Sequence, residues 1–415
     1  MLKRLRIQGF KSLNEVDVEF PRLTVLFGAN TAGKSNLLEA IQAVSRLACG
    51  RTLLEALANP IRGNPIECFA FPSGGLSELY EKDTAEFTLE ADLGKNGSAS
   101  PPNYRYRIAV QIHPRSGKLS VRDEYLAKLT RSGAARGSPL IEEVEGQLHI
   151  RRQRKPAHPR IEKLGLNHTQ LSDIRFSGSE YEAIQWVREE LSDFRIYYLD
   201  PRVAMRNSVP PKEVADIGTR GEDLAPFLYR VQLGEPKAFQ LVMRSLRMII
   251  PSLESVSVEL DEKRGALDLQ IIQNGITFSS RIISEGTLRV LALCAIAANP
   301  WPGSLIAFEE PENGVHPRRI ELIAKLLTYL ALERHQQVIV TTHSPLFCQQ
   351  ILAEQNKNPK EVAVLITRQE NGQTVCEPFQ TAGPLFDDHD IQEALTSRQE
   401  DGWFEGLVLR GLVDG

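Results

Sequence analysis

Cysteine is scarce and unpatterned: Cys49, Cys68, Cys294, Cys348 and Cys376 include no C-x-x-C pair and leave an odd one over. That argues against a disulfide frame or a zinc site and fits reduced thiols. Long apolar runs are also missing. The longest, "VLALCAIAANPWPGSLIAF", is interrupted by Asn, Pro and Gly, which rules it out as a membrane span. The start, "MLKRLRIQGFKSL", carries basic residues without the continuous apolar stretch of a signal peptide. Positive charge is not in excess either. With 49 basic and 53 acidic residues the net charge is −4, so any nucleic-acid contact would have to be a local patch. Sustained heptads and internal repeats are absent, which leaves no place for a long coiled-coil arm. The expectation is a cytoplasmic chain with no membrane partner.

What is present is ordinary in amount and informative in order. At 415 residues, 42% of them hydrophobic, the chain can bury a sizeable core as two domains or as one domain with an insertion. The first 27 residues read as strands: "LKRLRIQGF" and "EVDVEF" alternate, and "LTVLF" is a short run of the buried kind. A Gly-rich turn and an amphipathic helix, "KSNLLEAIQAVSRLA", follow. Residues 85–193 change character, with short alternating strands ("EFTLEADL", "YRYRIAVQI"), Gly/Pro/Ser-rich connections and one closing helix, "EYEAIQWVREEL". The final third alternates helix and strand, which predicts a mostly parallel sheet flanked by helices.

Between the buried strand and the helix stands "GANTAGKS", Gly28 to Ser35, a full match to G-x-x-x-x-G-K-[ST] in the context that motif needs. Its backbone N–H groups would hold phosphate, Lys34 would reach the β/γ oxygens of ATP, and the Ser35 hydroxyl would ligate Mg²⁺. Gly28, Asn30, Gly33, Lys34, Ser35 and Asn36 are therefore the candidate nucleotide contacts. A P-loop nucleotidase also needs an acidic site at another strand's end, and "LIAFEE" supplies one. Glu309 would bind Mg²⁺ through its water shell and Glu310 would be the general base; the metal's charge offsets the repulsion of paired carboxylates. A third apolar strand, "VIVTT", runs into His343, which can donate to a γ-phosphate. "ISEGTLRVLAL", Ile283 to Leu293, is by itself a helix capped by Ser284. Its place shortly before "SLIAFEE" gives it a second meaning.

In order, "GANTAGKS", "ISEGT", "FEEPENGVHP" and "TTHSP" resemble the Walker A, signature, Walker B with D-loop, and switch-histidine elements of ABC ATPases. "LRIQGFKSL" resembles the opening strand of the RecF/RecN/SMC-like branch, and more narrowly the chain is similar to AAA-type, AbiEii-like ATPases of bacterial anti-phage and toxin–antitoxin loci. The resemblance covers residues 1–80 and 195–367. It implies an α/β ABC-type P-loop ATPase head carrying an inserted β-rich subdomain. The division would be residues 1–84 (head with Walker A), 85–193 (insertion), 194–367 (head with signature, Walker B and His343) and 368–415 (extension).

The resemblance further implies slow hydrolysis of ATP with Mg²⁺ in a head-to-tail dimer or higher oligomer, where Ser284 and Gly286 complete the partner subunit's site and Asn313 to His316 line the seam. It departs from the pattern twice: Glu309 stands where Asp is usual, and the signature reads Ser-Glu-Gly rather than Ser-Gly-Gly. Gln111 is a weak candidate for the Q-loop glutamine. An ATP-gated switch for a separate effector, a nuclease or toxin in anti-phage defence, is the leading expectation; a RecF-like DNA-binding repair ATPase is the alternative, and a transporter subunit the third. The basic segment "HIRRQRKPAHPRIEK", residues 149–163, is either a nucleic-acid patch or a solvated loop. Asp388-x-Asp390 offers part of a Toprim-like nuclease, but too little chain follows to build one.

Overall fold

The computed structural model describes residues 1–58, 60–95, 103–153 and 158–379. They form two units, Met1–Phe194 with Asn358–Phe379, and Arg195–Lys357.

In the first unit β1 (Leu2–Phe10), β2 (Leu13–Glu19) and β3 (Leu23–Phe27) lead into α1 (Lys34–Cys49). Short helices α2 (Leu53–Ala56) and α3 (Gly75–Glu81) follow, then β4 (Ala85–Leu93), β5 (Tyr104–His113), β6 (Lys118–Lys128), β7 (Ile141–Val144), β8 (Gln147–Ile150), β9 (Arg160–Lys163) and α4 (Glu182–Ser192). An antiparallel eight-stranded sheet runs β2-β1-β4-β5-β6-β7-β8-β9, so the strands after residue 84 extend the sheet that the N-terminal hairpin opens. Alternation explains it. Leu2, Leu5, Ile7 and Phe10 of β1 point inward, where Phe10 meets Phe87 edge-on at 5.3 Å. β3 is buried along its whole length because it lies in a second sheet, parallel to β16 (Val362–Glu370), which pairs antiparallel with β17 (Gln373–Pro378).

Helix α1 buries Leu37, Leu38, Ile41, Val44 and Leu47, and also a charged group, Glu39. Its carboxylate is paired with Lys11 Nζ at 2.5 Å and Arg62 Nε at 2.7 Å, which meets the cost of burying it. The far end of α1 is tied to the β-rich segment: Thr169 Oγ1 donates to Leu47 O at 2.8 Å. The next two residues hold Glu124 of β6, whose carboxylate accepts from Gln170 N (2.6 Å), Leu171 N (2.8 Å) and Tyr106 Oη (3.2 Å). Burial outweighs these donors and pushes the carboxyl up to about 7. The folded state therefore binds this proton more tightly than the unfolded chain, so stability is lost as pH rises from the ordinary carboxyl range through about 7. The shift is worth on the order of 3 kcal/mol, or several degrees of melting temperature at about 2–4 °C per kcal/mol. Melting scans of the parent and Glu124→Gln should show the parent's advantage shrinking between about pH 5 and 8; a pH-independent difference would refute the assignment.

The second unit contains β10 (Phe194–Tyr197), α5 (Leu224–Gly234), α6 (Pro236–Ile249), β11 (Leu253–Asp261), β12 (Ala266–Gln273), β13 (Ile276–Ser279), α7 (Glu285–Ala297), β14 (Leu305–Glu309), α8 (Pro317–Leu332), β15 (Gln337–Thr342) and α9 (Pro345–Lys357). Strands β11, β12 and β13 form an antiparallel meander, and β10-β14-β15 a buried sheet in which β14 and β15 are parallel. Helix α7 is apolar on all sides from Val290 to Ala297 and is buried there throughout. Tyr197 stacks on Phe308 at 5.4 Å across the sheet.

All five cysteines are free; burial raises the Cys68 thiol to about 12 and Cys376 to about 11. No helix among the described residues is long and apolar enough to cross a membrane.

Candidate functional site

In the first unit the Gly-rich loop joins β3 to α1 as the motif requires. Gly33 caps α1 in the left-handed region (φ 92°), no side chain bonds to the cap, and the first turn holds no acid. The positive end of the helix is thus left for an anion. Lys34 is buried, and its Nζ donates to the carbonyls of Gly28 at 2.5 Å and Ala29 at 2.7 Å, so the loop is curled around its own lysine. Two glycines make that curl possible: a Cβ on Gly28 would collide with Thr367 O, and one on Gly33 with Thr374 Oγ1. Thr374, on β17, also shares a 2.7 Å hydrogen bond with Ser12 Oγ, which accepts from Asn36 Nδ2 at 2.7 Å. Asn36 therefore braces the loop from behind. Ser35 is half-buried, and Asn30 is exposed at the loop's tip. The donor set fits a polyphosphate: one buried ammonium, a hydroxyl and an uncompensated helix end.

In the second unit the parallel strands β14 and β15 end side by side, Glu309 in register with Thr341. Glu310 comes next. It takes a left-handed backbone (φ 44°), which costs a non-glycine residue about 1 kcal/mol, and is fixed there by its N–H on Thr341 O at 3.0 Å. The turn brings its Oε1 to 3.1 Å from His343 Nδ1. That contact sets the edge of the imidazole against the carboxylate. Glu312 is buried beneath. It accepts the Thr342 hydroxyl, whose Oγ1 also receives Ser344 N at 2.9 Å, so the loop carrying His343 is tied to the turn carrying Glu310. Burial raises the Glu312 carboxyl above its ordinary range and lowers the nearby guanidinium of Arg289, which donates to Glu310 O at 3.4 Å.

The signature segment lies in the same unit. Ser284 Oγ caps α7 by accepting from Thr287 N at 3.2 Å, the ordinary role of a cap. Gly286 is packed so closely on the turn after Glu312 that a Cβ would strike Gly314 O, which joins "SEGT" to "ENGVHP". His316 caps α8. Arg289, Glu312, Thr342 and Thr374 were not among the expected contacts; only Thr342 carried a sequence signal, its place at a strand end. Gln111 lies mid-strand in β5 between Glu86 and Ser120, an ordinary sheet position.

Among the described residues no trio of His, Cys, Asp or Glu is arranged to hold a metal. In the basic segment Arg151, Arg152 and Arg160 are paired with Glu142, Glu180 and Glu162, which cancels most of the described charge. Arg154 and Lys155 lie outside the described residues, as does the Asp388-x-Asp390 stretch.

The fold is that of an SMC/ABC-like ATPase head, α/β with a mixed sheet and antiparallel sheets. Residues 23–349 match the family described as "AAA domain, putative AbiEii toxin, Type IV TA system", and the chain belongs to that family. It is 33% identical over 97 residues to the DNA replication and repair protein RecF of Synechocystis sp., and 28% identical over 104 residues to RecF of Streptococcus thermophilus. These matches span 23% and 25% of this chain and only 23% and 26% of those proteins. In fold it is similar to an SMC head solved bound to the C-winged helix domain of ScpA, with a TM-score of 0.52, 15% identity, and coverage of 91% of this chain and 98% of that one.

Proposed function

We propose that the chain hydrolyses ATP with Mg²⁺ and uses the nucleotide to control its own assembly. The observation that carries this reading is the Glu310–His343 pair at 3.1 Å, set where β14 and β15 end together in a family built around a P-loop. Gly28, Gly33, Lys34 and the start of α1 bind the phosphates, with Asn30 at the rim and Asn36 holding the loop in shape. Ser35 and Glu309 are the side chains that would hold Mg²⁺, which would supply charge neutralisation and orientation at the phosphates. Glu310 accepts a proton from the attacking water, and His343, beside that carboxylate, donates toward developing negative charge. Ser284 and Gly286 complete the site of a second copy in a head-to-tail dimer, so closure and hydrolysis alternate as a slow cytoplasmic switch.

The effector controlled by the switch would be a separate nuclease or toxin in anti-phage defence, a reading supported by the toxin–antitoxin family to which the chain belongs. The RecF matches support a second reading, a DNA-binding repair ATPase. One experiment addresses both: light scattering after size exclusion of Glu310→Gln, with and without ATP–Mg²⁺ and then with plasmid DNA. An ATP-dependent rise to twice the mass is expected. No change in mass would sink the assembly mechanism, and DNA carried in the larger species would favour the repair reading.

A further inference from the structure

The signature turn carries an acid, Glu285, where a triphosphate from a second copy would have to approach, and like charges a few ångströms apart repel by several kcal/mol when partly shielded from water. The turn that follows β10 holds what offsets it. Asp200 builds this turn, accepting from Val203 N at 3.0 Å and pairing with Arg220, and Met205 buries its underside. From it Arg206 donates Nη2 to Ile283 O at 2.8 Å, the carbonyl just before Ser284. The Arg206 Nε is buried with no hydrogen-bond partner, so that guanidinium has donor capacity to spare. Arg281 reaches back to Ser208 Oγ at 3.2 Å. Arg202 stands outermost, 80% exposed, with its Nε 3.4 Å from Glu285 Oε1; Glu285 is itself 48% exposed.

A surface pair this open contributes about 0–1 kcal/mol, so holding the fold together does not account for it. A guanidinium has five donors in a planar fork and can keep one edge on a carboxylate while presenting another to phosphate. We infer that Arg202 is a cation delivered in trans, contacting the nucleotide triphosphate bound by a second copy of this chain, with Glu285 aiming it and Arg206 fixing the signature turn beside it. The inference rests on the head-to-tail dimer proposed above. It also gives the Ser-Glu-Gly departure a use, since the glutamate is the handle that positions the arginine.

The test is made in the Glu310→Gln background, so that the readout is assembly and not turnover. Affinity of the dilute monomer for a fluorescent ATP analogue is measured alongside ATP–Mg²⁺-dependent mass by light scattering. Arg202→Ala is expected to leave monomer affinity within about twofold and to raise the protein concentration needed for half-assembly at least about tenfold, with Arg202→Lys in between. Normal assembly of Arg202→Ala, in a setting where Ser284→Arg blocks it, would overturn this inference and leave the dimer standing. Loss of ATP affinity in the Arg202→Ala monomer would also overturn it, since the arginine would then act in cis. A parent that stays monomeric with ATP would overturn the dimer and this inference with it.

Discussion

Glu310→Gln is expected to lower ATP turnover by about 10²–10⁴-fold while leaving nucleotide affinity close to that of the parent. Gln has the shape of Glu and can occupy the same place beside the His343 ring, so the loop is expected to stay where it is; only the capacity to take a proton is removed. The other nearby acids cannot substitute easily. Glu312 is buried, bound to Thr342, and held toward its protonated form by burial. Glu309 ends the strand in register with Thr341 and is the residue proposed above to hold the metal. Phosphate release at saturating ATP and equilibrium binding of an ATP analogue separate the two effects. A variant that keeps more than about a tenth of the parent rate would place the base elsewhere, because general-base catalysis alone is worth more than that.

Gly33→Ala should be nearly as severe, through ATP affinity. The left-handed conformation costs a side-chain residue about 1–2 kcal/mol, and the new Cβ would overlap Thr374 Oγ1 and crowd Ser12. The loop can relieve this only by moving off β17, which uncurls the carbonyls that hold Lys34. Affinity for ATP should fall at least about 100-fold, about 3 kcal/mol. Adding Thr374→Ala removes the Oγ1 and Cγ2 atoms that the new Cβ would strike but not the backbone cost, so Gly33→Ala/Thr374→Ala should recover part of the loss. Calorimetric titration with ATP in the absence of turnover reads it directly. Parent-like binding by the single variant would mean the overlap is relieved elsewhere.

The expected results rest unevenly on what the sequence makes legible. The Walker A element is local: an apolar strand, a fixed loop and a periodic helix within 27 residues, and β3 and α1 begin and end close to where the pattern puts them. Glu309 closing β14 and His343 just beyond β15 follow from apolar runs that end abruptly. Arg289, Glu312 and Thr374 are different. Each has its role by contact with a residue distant in sequence, and nothing in an arginine on an apolar helix or a threonine in a hairpin marks that contact beforehand. The β-rich segment shows the same limit: its strands are readable one by one from alternation, but their union with β1 and β2 is decided by edge pairing, which alternation does not encode.

The place of β16 and β17 has a consequence for how the protein is made. They pair beside β3 and set Thr374 against Gly33, yet they are synthesised more than 300 residues after the loop they brace. A ribosome that has released everything up to Lys357 has displayed the entire P-loop sequence without the hairpin that shapes it. Stalled or prematurely ended chains would therefore be poor at capturing ATP, and a half-made switch would not be armed while its polypeptide is still emerging.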